Sequence, residues 1–207
     1  ESNLYLLLIG YPLFYAVIFR NAIRKIISPA VKSVLLLFFL IFLFLWVNEI
    51  PVAIDYIITG VGPQGLEAHY FGLTSILKHL IAYVGFYIGV SLTILFFYRR
   101  WNYSLWQVFT VGGLWGLIVE QNFLGAKLLF SGALLEFTGF ASFVFPVYGL
   151  YLAGPYLLFY EEFRNAKPSA KWQALALFFA ITVIPLLTWF LWGLLLEALS
   201  IDFSGVI

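Results

Sequence analysis

Six stretches of this chain, at roughly 3–19, 34–51, 75–98, 105–126, 139–160 and 173–199, are almost free of charged residues. A helix of about 20 apolar residues crosses the roughly 30 Å hydrocarbon core of a bilayer, so each stretch reads as a transmembrane helix. The rest of the composition agrees. Of the 207 residues, 63% are hydrophobic and 10% charged, whereas a soluble domain carries about 25% charged residues. The chain has too little polar surface to stay dissolved alone. The expected fold is all-α: a polytopic membrane helical bundle of about six transmembrane helices, forming one transmembrane domain over 1–207.

Basic residues set the expected orientation. Arg20, Arg24, Lys25 and Lys32 follow the first stretch, Arg99 and Arg100 follow the third, and Arg164, Lys167 and Lys171 follow the fifth. By the positive-inside rule, loops 20–32, 99–104 and 161–172 face the cytoplasm, and both termini lie outside. The first stretch is not patterned as a cleavable signal, because its basic residues come after the apolar run. The chain opens on Glu1 and contains no Met, and is expected to begin within a longer gene product. Outside, residues 52–74 are rich in Gly and read as an irregular loop. Residues 127–138, KLLFSGALLEFT, are too apolar for an ordinary solvated loop and read as an interfacial helix or a segment folded back into the protein.

The same arrangement divides into three hairpins, and related phrases recur on the returning helices: LWVNE at 45–49, LWGLIVE at 114–120 and LWGLLLE at 191–197. Internal repeats are frequent in membrane transport folds. In so biased an alphabet, short matches also arise from composition alone.

Ionisable residues within spans cost about 2.5–3.5 kcal/mol at the bilayer centre, so they are the first candidates for function. They gather in the expected outer half: Glu49, Lys78 and His79, and the run Glu120-Gln121-Asn122. Three consecutive polar side chains on a helix point about 100° apart and cannot all face lipid. Glu120 therefore needs a cavity or a partner, and Lys78 matches it in depth. A polar clamp between helices is the structural alternative. Gly85/Gly89 and Gly112/Gly116 have the spacing that lets helices approach closely. Trp46, Trp101, Trp106, Trp172 and Trp192 read as interfacial anchors. Pro12, Pro146, Pro155 and Pro185 predict kinks.

Several chemistries are excluded or disfavoured. With no Cys there are no disulfides, thiolate nucleophiles or thiolate metal sites, and two His without a His-Glu-x-x-His motif speak against zinc. The paired glutamates Glu161-Glu162 resemble those of CAAX-type membrane proteases, but that spacing requires an Arg where this chain has Ala166. Ser131 has no later His to activate it. A net charge of +1 without a Lys/Arg tract gives no case for nucleic acid. No cofactor can be named. Three functions remain open. The first is a small transporter or membrane solute-binding subunit, with an outward-facing site at Glu49, Lys78, His79, Glu120, Gln121 and Asn122. The second is an integral membrane enzyme acting on a lipid or isoprenoid-like substrate. The third is a structural or assembly subunit whose partners, besides the lipid bilayer, are other membrane subunits.

Overall fold

The computed structural model describes residues 33–47, 50, 77, 80–160, 170–199 and 201, and at 120–122 the backbone alone. Among these residues the architecture is a helical bundle without strands. Its helices are α1 (Val34–Val47), α2 (Val84–Arg100), α3 (Leu105–Ile118), α4 (Glu120–Phe130), α5 (Leu134–Phe159) and α6 (Lys171–Ala198).

Local chemistry explains where the helices start and stop. Ser104 opens α3 with a reciprocal cap: its Oγ accepts from the Gln107 backbone N–H at 3.2 Å, while Gln107 Oε1 accepts from the Ser104 N–H at 3.1 Å. That pair satisfies two donors which a helix start leaves orphaned. Arg99 and Arg100 occupy the last turn of α2, where cations suit the negative end of the helix dipole. Between α4 and α5 the chain turns through Ser131–Ala133, with Gly132 at φ +77°. Residues 127–130 thus finish a helix, and the apolar segment 127–138 is a helix–turn–helix junction. Phe130, Leu134 and Leu135 are exposed at its tip.

α3 lies along α5, and α2 lies along α6, as the two most extensive helix pairs. Glycine makes both contacts close. A Cβ on Gly113 would come within 2.6 Å of the Phe145 ring, and one on Gly116 within 2.6 Å of Tyr148. Gly85 and Gly89 do the same for α2 against α6 at Thr188, Pro185 and Trp192. The packing role read from the glycine spacing is therefore realised at both pairs. The central core joins Ile94, Tyr98, Val108, Leu152, Tyr156 and Leu177. Ser91 and Thr93 are buried there, each donating to a carbonyl one turn back, Tyr87 O at 2.6 Å and Gly89 O at 2.8 Å. Neither hydroxyl needs an interhelical partner.

Two helices, α5 with 26 residues and α6 with 28, are long and apolar enough to cross a membrane. At 1.5 Å per residue they measure about 39 and 42 Å. The outward face of α6 exposes Leu175, Phe179, Val183, Leu187, Phe190 and Leu194. α1 and α3 are apolar but shorter. The expected continuous helix over 105–126 is instead two helices, interrupted at Val119.

Candidate functional site between two helix interruptions

The first interruption precedes α2. Residues 80–82 are helical, Tyr83 is a turn, and α2 begins at Val84. Three tryptophans from distant parts of the chain meet three successive carbonyls at this point. Trp46 Nε1 donates to Leu80 O at 2.8 Å, Trp192 Nε1 to Ile81 O at 2.9 Å, and Trp189 Nε1 to Ala82 O at 3.1 Å. A break in a helix releases carbonyls that must find other donors when water is excluded. Here α1 supplies one indole and α6 supplies two. The glycines of α2 make that reach possible. A Cβ on Gly85 would lie 2.7 Å from Trp192 Cγ and 2.9 Å from Thr188 O. α6 would have to retreat, and its indoles with it. Trp46 and Trp192, read from sequence as interfacial anchors, spend their N–H groups on the backbone.

The second interruption separates α3 from α4. Val119 is a turn, and four residues later Phe123 adopts φ +64°. For a residue with a Cβ this left-handed conformation costs roughly 1–2 kcal/mol, so the surrounding fold must hold it. Beyond it, Gly125 sits against the carbonyl of Leu117 and beside the Phe140 ring. The polar run Glu120-Gln121-Asn122 forms the first turn of α4.

An aromatic cluster links the two interruptions. Tyr83 stacks on Trp189 with centroids 5.8 Å apart. Phe86 meets Trp189 edge-on at 6.4 Å and Trp115 at 6.0 Å. Trp115 in turn lies 5.5 Å from Tyr148. Trp115 is only 5% exposed, and its Nε1 finds no hydrogen-bond partner among the described residues. Leaving such a donor unsatisfied costs about 1–3 kcal/mol. Sequence reasoning missed it, since nothing local separates Trp115 from tryptophans whose indoles are bonded.

At the far end of α3 a second aromatic group closes the bundle. Tyr98 donates to Leu152 O at 2.8 Å, Tyr103 to Gln173 O at 3.2 Å, and Tyr156 to the Tyr103 carbonyl. Burial pushes the Tyr103 phenol well above its ordinary range, so it remains a donor at any ordinary pH. Trp101 and Trp172 pack edge-on beside this group, 5.1 Å apart.

Of the residues expected to form a site, Glu49, Lys78 and His79 lie outside the described residues, as do the side chains of Glu120, Gln121 and Asn122. Their places in the chain are still informative. Glu49 follows Trp46 by three residues, His79 immediately precedes Leu80, and Glu120 follows Val119. Each polar segment is thus next to an element of one interruption. The six charged residues whose side chains are described, Arg99, Arg100, Lys127, Glu136, Lys171 and Glu197, are all exposed. Among the described residues, no group of three or more His, Asp or Glu could hold a metal ion. No known protein family, curated protein or solved structure matches this chain.

Proposed function

We propose that the protein is a multi-pass membrane protein of six spans, acting as a small transporter or membrane solute-binding subunit. Its basic loops 20–32, 99–104 and 161–172 lie in the cytoplasm, and its site opens outward between the two helix interruptions. The observation that carries this reading is the pairing of interruptions with polar sequence. One follows Lys78-His79 and the other coincides with Glu120-Gln121-Asn122. Discontinuous helices at membrane depth recur in transporter binding sites. The apolar outward face of α6 supports the lipid setting.

The native absence of Cys makes a direct test available. Single Cys residues placed at Lys78, Asn122, Asn102 and Leu187 would be treated in sealed cells with a membrane-impermeant methanethiosulfonate. Cys at 78 and 122 should react from outside, Cys at 102 only after permeabilisation, and Cys at 187 under neither condition. Failure of 78 and 122 to react from outside removes the outward site. If they react only with a lipid-soluble maleimide, the enzyme reading takes its place. If they react with neither reagent, the structural clamp does.

A further inference from the structure

Four tryptophans stand around the Tyr83 interruption, and they divide three to one. Trp46, Trp189 and Trp192 each donate to a backbone carbonyl. Trp115 touches the same cluster through Phe86, is buried, and donates to nothing among the described residues. The break before α2 accounts for the first three. It does not account for the fourth.

We infer that the Trp115 indole N–H is the recognition donor of a binding site for a neutral apolar molecule carrying a carbonyl oxygen. This inference rests on the solute-site reading above and names its ligand class. The donor requires an acceptor on the ligand. The Phe86 and Tyr148 rings contact Trp115 at tilts of 42° and 55°, so the donor lies among aromatic carbon and suits a ligand that is otherwise apolar. A neutral ligand follows from the immediate neighbours, because an ion set against the Phe86, Trp115 and Tyr148 rings would lose its hydration with no counter-charge on any of the three. Binding would remove the cost of the buried unpaired donor, an energy gained only in the complex.

The probe is menadione, a neutral quinone with two carbonyl oxygens, measured by equilibrium dialysis against the detergent-purified full chain with detergent alone as control. The wild-type chain should bind saturably at about one molecule per chain. Trp115→Phe, which keeps a ring and deletes the N–H, should weaken binding about tenfold, the equivalent of one hydrogen bond. Replacing Trp115 by benzothienylalanine, which keeps the indole shape with sulfur in place of N–H, should do the same and separates the donor from packing. Linear, non-saturating uptake by the wild type overturns the inference, as does wild-type affinity in both variants. Either outcome leaves the thiol-accessibility result, and hence the solute-site reading, standing separately.

Discussion

At one end of the α3–α5 seam, Tyr98, Tyr103 and Tyr156 each give a hydroxyl proton to a backbone carbonyl. At the other, Trp115 and Tyr148 pack just as closely, yet the indole N–H of Trp115 has no described acceptor. Both ends are aromatic and buried, so the hydrophobic contribution does not distinguish them. Polar satisfaction separates these three phenols from the Trp115 indole. Those three phenols form a lock, tying the end of α2 and the α2–α3 connection to α5 and α6. The tryptophan end keeps one donor in reserve, beside two helix interruptions and the strained backbone at Phe123. Cost without local compensation is more often retained at working sites than at structural ones.

The largest expected effect tests whether the two ends depend on one seam. Gly112 lies between them, and a Cβ there meets the Tyr148 carbonyl, with Gly149 Cα and Leu152 Cβ both at 3.1 Å. Backbone atoms cannot rotate away. Gly112→Val should destabilise at or above the upper end of the roughly 1–3 kcal/mol typical of overpacking, read as a fall in thermal midpoint in detergent. Gly139, with nothing within 4 Å of a Cβ, is the control, and Gly139→Val should leave the midpoint nearly unchanged. Equal behaviour of the two variants would mean the seam is not tight.

A smaller effect is confined to the locked end. Tyr156→Phe removes the donor from the Tyr103 carbonyl, and Tyr103 is fully buried. The orphaned acceptor should cost about 1–3 kcal/mol. Because Tyr103 sits in the short α2–α3 connection, amide exchange should accelerate over residues 101–104 and stay unchanged around Trp115. Acceleration at both places would mean that the ends are not separable.

How far the sequence shows this difference depends on the range of the interactions. The expected span 3–19 lies outside the described residues; within them the apolar runs fall on helices, and the last came within a few residues of α6, expected over 173–199 and observed at Lys171–Ala198. The paired glycines announced close packing because spacing on a helix is a local property. The interruptions at Tyr83 and Val119 carry no Pro or Gly, so no local rule marks them. At the first, tertiary partners supply what the helix loses, through indoles 34, 107 and 111 residues away in sequence. The same range hides the site. Sequence selected the polar residues beside both breaks by their cost in lipid, but the aromatic cluster between the breaks, and the indole in it without an acceptor among the described residues, emerge only once α2, α3, α5 and α6 are assembled. In sequence, Trp115 and Trp192 sit in the same Leu-Trp-Gly-Leu phrase.

The smallest effect sharpens the comparison most, because it sets like against like. Benzothienylalanine at Trp46 removes the N–H that Leu80 O accepts at 2.8 Å while preserving the size of the ring. It should cost about 1 kcal/mol, the net worth of one hydrogen bond. The same replacement at Trp115 deletes a donor that has no acceptor among the described residues, so stability should hold or rise slightly. Chemical denaturation in detergent would resolve the two. If the Trp115 variant loses as much as the Trp46 variant, then Trp115 is bonded in the working protein and the two ends are alike. If it loses nothing, its N–H contributes nothing to the fold, and a buried donor that the fold does not use is available for something that binds.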